Sequence, residues 1–314
     1  MSRLIIISVL AIAVAAGSAS ASLYSENFEV DPTANWTVNK GPATTDEAHN
    51  FFFDYSTVGI PAAPSGAGTR GMKLQANLSS GVFGGMSVSP TGQSFAGDYS
   101  VRFDLWSSFN GPFPVGGSGS TNLSTYGIGT AGTSPQWPGG VQDSVWFANT
   151  ADGNSSSDWR AYSTAAQTSY PDVSPVYAAG PHAGNRNNSD PYYAGFGNVA
   201  APAAQTALFP QQTGSTLAGS GGMEWHQVVI DKSGTTVTWT VDSLLIATID
   251  LTTVTLSGGD IFFGHSDTTA TSSTDVNDAA LLFTLIDNIE VVPEPATAVL
   301  LAAGGLLILR RRYL

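Results

Sequence analysis

The 314-residue chain predicts an all-β sandwich with long irregular loops, bracketed by an apolar segment at each end. Three observations predict it. Charged residues make up only 11% of the chain, and long amphipathic helices need a charged outer face. Glycine alone contributes 35 residues, and Ser, Thr and Asn are abundant; small polar and β-branched residues suit tight turns and strands. Short runs of alternating apolar and polar residues recur, separated by turn residues about every 8–12 positions.

Residues 1–21 come first. Arg3 precedes an apolar stretch from Leu4 to Ala16, broken only by Ser8, and Ala19-Ser20-Ala21 is a small-x-small triplet. That is the pattern of a secretory signal peptide. It predicts an N-terminal signal helix, removal after Ala21, and a body of residues 22–290. The strand candidates of the body follow. Leu23–Val30 and Gly71–Leu78 alternate apolar and polar residues, Trp36–Val38 is a short candidate, and Phe51–Tyr55 is a compact aromatic run. Tyr99–Trp106 alternates most regularly: Tyr99, Val101, Phe103 and Leu105 share one face, and Ser100, Arg102 and Asp104 the other. Val141–Ala148 is a further strand, with the Gly/Pro-rich loop 111–119 before it.

Residues 150–210 have little period and many Ser, Asn, Ala, Gly, Pro and Tyr. A structureless loop of that length is unusual inside a compact domain. The expectation is a decorated insertion on one rim, with short strands and one helical turn near Ala161–Gln167. Regular pattern returns with Glu224–Asp231, a turn at Lys232-Ser233-Gly234, then Thr235–Val241, Leu244–Leu251, Asp260–Gly264 and Ala280–Val292. Residues 291–314 close the chain with Pro293-Glu294-Pro295, fourteen uncharged residues from Ala296 to Leu309, and Arg310, Arg311 and Arg312. Arginines after an apolar run hold that end in the cytoplasm. Fourteen helical residues rise only about 21 Å, short of a hydrocarbon layer of about 30 Å. The span is therefore a short transmembrane helix suited to transient anchoring, and it places the body beyond the inner membrane.

The order triplet, span, basic end closely resembles the PEP-CTERM sorting signal. That resemblance, confined to residues 291–314, implies recognition by an exosortase-type membrane protease and delivery to the cell surface or extracellular matrix. It assigns the signal to Pro293, Glu294, Pro295, Arg310, Arg311 and Arg312. A second resemblance lies in the body. Trp225-His226, a hairpin, then Val237-Thr238-Trp239-Thr240-Val241-Asp242 and an aliphatic strand resemble the central hairpins of concanavalin A-like (laminin-G-like) jelly rolls, with Ser243 where the family's turn commonly has Gly. It implies a jelly-roll sandwich, a fold that hosts lectins, glycosidases and adhesion modules alike.

Charge narrows the function. Without Arg3, Arg310–Arg312 and Glu294, the body carries 7 basic and 23 acidic residues. So acidic a surface argues against nucleic acid and anionic lipid. There is no cysteine, hence no disulfide and no thiolate metal site. Enzymatic constellations are scarce. Jelly-roll glucanases place their carboxylates on alternate positions of one strand, and Glu26-Asn27-Phe28-Glu29-Val30-Asp31 has the wrong spacing. No Gly-x-Ser-x-Gly occurs, and His49, His182, His226 and His265 stand apart.

Two binding chemistries fit better. Asp152, Asn154, Ser156 and Asp158 set oxygen ligands at alternate positions of one loop, as a hard cation such as Ca2+ requires; Ser157 stands where an EF-hand loop has Gly. Asp267, Asp275 and Asp278 form a second acidic loop. Trp159, Tyr162, Tyr192 and Tyr193, with Asn187 and Asn188 nearby, supply aromatic platforms and amides for glycan binding. The expectation is an exported, non-catalytic surface or matrix protein. The alternatives are a lectin-like carbohydrate-binding module of the exopolysaccharide and a degenerate glycoside hydrolase relative.

Overall fold

The computed structural model describes residues 21–41, 47–76, 78, 84–114, 122–137, 143–155, 157–162, 168–169, 175–176, 186–267 and 276–294. Residues Ser22–Glu294 form one compact unit. The signal-peptide and membrane-span expectations, Pro295 and Arg310–Arg312 fall outside the described residues. Among those described, no helix is long and apolar enough to cross a membrane.

The strands in chain order are β1 (Tyr24–Glu26), β2 (Trp36–Lys40), β3 (Ala48–Asp54), β4 (Arg70–Gln75), β5 (Gly85–Pro90), β6 (Tyr99–Ser108), β7 (Asn122–Thr130), β8 (Val145–Thr150), β9 (Trp159–Tyr162), β10 (Thr168–Ser169), β11 (Pro175–Val176), β12 (Trp225–Ser233), β13 (Thr236–Val241), β14 (Leu244–Asp250), β15 (Asp260–Asp267) and β16 (Phe283–Pro293). Among the described residues two short α-helices interrupt them, α1 (Ala203–Leu208) and α2 (Asp278–Leu281). One sheet has the order β14-β13-β12-β6-β16-β4-β3, with β1 added on β16; the second has the order β2-β5-β15-β7-β8-β9. Both are antiparallel throughout. The all-β expectation holds.

Alternation builds the core. Val101, Phe103 and Leu105 of β6, Val228 and Ile230 of β12, and Ile286 and Val291 of β16 face Tyr126, Phe147, Ile261 and Phe263 of the second sheet in one apolar cluster. Rings lock the two layers edge to face: Phe103 and Phe263 are 5.0 Å apart, Tyr126 and Trp239 5.8 Å. Such pairs add roughly 0.5–1.5 kcal/mol beyond their burial. Asp242 and Ser243, both at positive φ, make the two-residue turn that twists β13 into β14. Gly234, at φ +55°, does the same between β12 and β13, one position later than the sequence suggests.

The structure departs from expectation in three places. Residues 278–281 are helical, so β16 starts at Phe283 and not at Ala280. The expected helical turn at 161–167 gives way, at Ala161 and Tyr162, to β9, which pairs with β8. Residues 163–167 lie outside the described residues; among those described in this region, a 3-10 turn lies at Pro191–Tyr193 and an α-helix at Ala203–Leu208, after Pro202, whose ring suits a helix start. The 150–210 segment is also more than a rim decoration, because its Trp159, Tyr193 and Phe196 belong to the main core.

A second apolar cluster lies on the outer face of the first sheet. Trp106 of β6 and Leu285 of β16 pack there under Tyr55, Val58 and Ile60. The cover ends at Asp104, so along β6 the outward residues run from buried Trp106 through buried Asp104 to exposed Arg102. In β16 the register shifts between Asp287 and Glu290, with Asn288 at φ +50°. This bulge leaves Asn288 unpaired beside Asp287 and keeps Ile286 and Ile289 both in the core.

Candidate functional site

Where the apolar cover stops, the outer face opens into a polar pocket of about 440 Å³. Arg102 from β6, Gln227 from β12 and Glu290 from β16 lie along it, with Glu26 and Asn27 from the β1 side. Asn288 of the bulge and Ser65 of the 59–69 loop join them, and Ser25, Phe103 and Ile289 complete the lining. Register explains the assembly: Arg102 pairs with Glu290 on one side and Val229 on the other. Glu26 takes the Phe28 N–H at 2.8 Å, and burial nevertheless raises its carboxyl above the usual range.

Two buried carboxyls lie under the rim. Asp104 and Asp287 are direct cross-strand neighbours in β6 and β16, 0% and 3% exposed. Asp104 accepts from Ser65 N at 3.0 Å, Ser65 Oγ at 2.7 Å and Asn288 Nδ2 at 2.9 Å. It thus ties the two pocket residues Ser65 and Asn288 to one strand. Asp287 accepts the Asn288 N–H at 2.7 Å and lies 3.0 Å from Tyr55 Oη. Burial pushes the Asp287 carboxyl up to about 7; the charges of Asp104 and Glu29 add to the push, and the hydrogen bond from the Asn288 N–H opposes it. Glu29 accepts the Arg70 N–H at 3.1 Å.

The residues singled out from sequence land elsewhere. Trp159, Tyr162 and Tyr193 are 2%, 0% and 1% exposed. Trp159 stacks on Tyr193 at 5.4 Å and donates its indole N–H to Gly219 O at 3.0 Å. Tyr162 stacks on Trp146 at 3.9 Å. These three rings are core residues, and the expectation of an exposed aromatic platform is corrected: β9 alternates between two packed faces. Tyr192 is half-buried and donates its hydroxyl to Leu245 O at 2.5 Å.

The 152–158 loop is organised by its last acid. Asp158 accepts from Thr150 Oγ1 at 2.5 Å, Ser155 N at 3.2 Å and Asn188 N at 2.8 Å, so both its oxygens are engaged. Asn154 is exposed, and its N–H goes to Asn188 Oδ1 at 2.9 Å. Ser156 lies outside the described residues. Asp152 keeps one oxygen, Oδ1, shut from water and without a partner. Burial, reinforced by the charge of Asp158, pushes its carboxyl up to about 8. Among the described residues no three acidic or histidine side chains gather as a metal cluster. The donors present do not make a closed calcium shell, which takes six to eight oxygens. In the second acidic loop, Asp278 is buried and takes a hydrogen bond from Asn110; Asp275 and the Asp267 side chain lie outside what is described.

The Pro-Glu-Pro triplet begins inside the sheet. Pro293 is the last residue of β16, opposite Tyr99, and the Glu294 N–H donates to Asp98 O at 3.2 Å. Sequence reasoning missed the pocket altogether. Its residues come from β1, the 59–69 loop, β6, β12 and β16, and no local motif joins them; the one available signal was the outward row Arg102, Asp104 of β6.

No protein-family model and no curated protein matches the chain. Among solved structures it is similar to the VIP36 exoplasmic/lumenal domain in its Ca2+/Man-bound form, at 11% identity and a TM-score of 0.41 over 83% of each chain. It is similar also to a protein of unknown function with a galectin-like fold from Bacillus subtilis, at 12% identity and a TM-score of 0.41 over 87% of this chain and 96% of that one. A third is the Crh5 transglycosylase in complex with NAG, at 12% identity and a TM-score of 0.43 over 87% and 85%. At such identities the likeness says nothing of ligand or reaction; the two-sheet architecture stands on the strand pairing of this chain.

Proposed function

We propose that the protein is an exported, non-catalytic surface or matrix module whose outer-face pocket binds neutral polyhydroxylated rings of an exopolysaccharide. The composition of the pocket carries the reading. Asn27, Gln227 and Asn288 each both donate and accept, Glu26 and Glu290 accept, and Arg102 donates. A sugar hydroxyl both donates and accepts, and a wall of mixed character meets it from either side. The volume is in the range of small-ligand sites. The negative body disfavours uronic-acid polymers through like-charge repulsion. In this wall the Ser65 hydroxyl donates to Asp104 at 2.7 Å, and Asp104 is also bound by the Ser65 N–H and Asn288 Nδ2, which suits a positioning bond.

Export follows from the two apolar termini, and sorting from residues 291–314: an exosortase-type protease recognises the signal while the inner membrane holds it transiently. The degenerate-hydrolase alternative would rest on Asp104 and Asp287, two carboxyls on neighbouring strands, but both are closed to solvent.

The test is binding of the body to an array of neutral oligosaccharides, beside Gln227→Ala and Glu290→Gln. Saturable binding weakened about tenfold or more by either change, the scale of one lost hydrogen bond to a buried partner, supports the pocket. Saturable binding untouched by both changes, or none to any neutral glycan, refutes it. Hydrolysis lost in Asp287→Asn would favour the enzyme instead.

A further inference from the structure

The 59–69 loop forms one wall of the pocket, and the hydrogen bonds that hold it are short of one proton. Tyr55 Oη receives the Ala63 N–H at 3.1 Å. It also lies 3.2 Å from Gly68 O and 3.0 Å from Asp287 Oδ2. A phenol has a single proton, so it cannot fully serve both acceptors. A proton on Asp287 resolves the count. Asp287 then donates to Tyr55 Oη, and Tyr55 donates to Gly68 O.

We propose that Asp287 is protonated in the closed protein, and that this proton, given to Tyr55, latches the 59–69 loop as a wall of the pocket. Asp104 is the fixed half of the latch, holding Ser65 by two bonds and Asn288 by one. The loop runs close against the side chains of Asn288 and Glu29. A Cβ on Gly66 would stand 2.0 Å from Asn288 Oδ1, and one on Gly68 2.0 Å from Glu29 Oε1. The charged and titratable groups facing Asp287 are Asp104 from β6, Glu29 from the segment after β1, and Tyr55 from the turn after β3. Arg70 on β4 does not offset them: its guanidinium lies 3.9 Å over the Phe52 ring and donates to Phe52 O at 3.1 Å. Three acids and one phenol thus share the space, and removing the proton leaves Gly68 O without its donor.

The sign follows from the two states of Asp287. Closed, its carboxyl is held up at about 7, against an ordinary value of 3.8. Opening therefore becomes easier as pH rises from about 4 to about 7, and changes no further above that. Acid closes the wall, and the proposed sugar site is tightest at low pH. This last step rests on the proposed function; the latch does not.

The experiment is hydrogen–deuterium exchange of the 59–69 amides in the protein between pH 5 and 8, corrected for intrinsic rates. Protection is expected to fall about tenfold per pH unit and level off near neutrality. Asp287→Asn keeps a donor for Tyr55 and should show a flat profile; Asp287→Ser is the second such variant should the amide not fold. Asp104→Asn should lower protection at every pH. A flat parent profile, or the parent slope persisting in the Asp287 variants, overturns the latch. Isothermal titration of isomaltohexaose at pH 5 and 7.5 separates the two claims. Weaker binding at the higher pH in the parent only supports both. An exchange transition with no sugar binding at either pH leaves the latch standing and counts against the sugar reading.

Discussion

Replacing His265 by Gln should change the acid stability of the protein, because this imidazole completes a one-way chain of buried hydrogen bonds between the sheets. Tyr126 Oη donates to Asn149 Oδ1 at 3.1 Å, and Asn149 Nδ2 to Ser107 Oγ at 3.4 Å. Ser107 and Ser124 are 2.7 Å apart, as are Ser124 and Thr284. Thr284 Oγ1 meets His265 Nδ1 at 2.8 Å, and His265 Nε2 meets Asn122 Oδ1 at 2.9 Å. One direction satisfies every member: the hydroxyl protons pass from Ser107 to Ser124 to Thr284 to Nδ1, and Nε2–H donates to Asn122. That requires the neutral ring. A proton on Nδ1 would oppose the Thr284 hydroxyl and reverse the chain. Burial accordingly depresses the imidazole from 6.5 to about 3. A base with a depressed folded value loses stability as pH falls from its unfolded value toward its folded one. Between pH 6.5 and 4.5 the loss is about 3 kcal/mol, a large part of the 5–15 kcal/mol that holds a typical domain. Urea unfolding of parent and His265→Gln at pH 7, 6, 5 and 4 measures it. Asp152, Asp260 and Asp287 titrate in the opposite sense in both proteins, so the difference between the two curves isolates the histidine. The variant should start less stable and the gap should close by a factor of about ten in the folding constant per pH unit below 6.5. A gap that stays constant from pH 7 to 4 would refute the neutral-ring argument.

Two further outcomes concern the loop and the tail. Asp152→Asn should raise stability at pH 7 by about 1–3 kcal/mol, a gain that shrinks toward pH 4, since an acid with a raised folded value costs more stability as pH rises; thermal melts across pH check it, and no gain at pH 7 would discard the buried-charge argument. Changing Arg310, Arg311 and Arg312 together to Ser should abolish C-terminal processing in an exporting host, read from the mass of the surface protein; identical masses with and without the arginines would end the sorting proposal.

Strands were legible where apolar residues alternate with charged or hydrogen-bonding ones, as in half-buried β13 and in β6, whose outer row is covered save at Arg102. Period 2 in Tyr99–Trp106 and Thr235–Val241 maps directly onto inward rows of β6 and β13. Strands β5 and β7 escaped because their burial is two-sided: Gly85–Pro90 and Asn122–Thr130 are buried at every position, so small Ser, Gly and Thr residues replace the polar face that alternation relies on. The same effect misled the reading of 150–210. Buried Arg160 and Tyr162 alternate with buried Trp159 and Ala161, and a strand packed on both faces looks like a loop rich in aromatic platforms.

The pocket was illegible for a different reason, and the reason bears on what it does. Alternation assigns Asp104 to the outward face of β6, which is correct, and outward residues of a charged strand ordinarily meet water. Asp104 does not, because the 59–69 loop folds back onto that face and satisfies both its oxygens. The loop itself carries no apolar period; it is held by Tyr55, Asp104 and Asp287, acceptors and donors on three separate elements. Burying two neighbouring carboxyls is costly unless they hold protons or donors. A cover needed only to shield Trp106 and Leu285 could stop short of Asp104 and leave both acids solvated. Its extension over them turns Ser65 and Asn288 into the rim of an open polar cavity, and the proposed ligand site gives that costly arrangement a use.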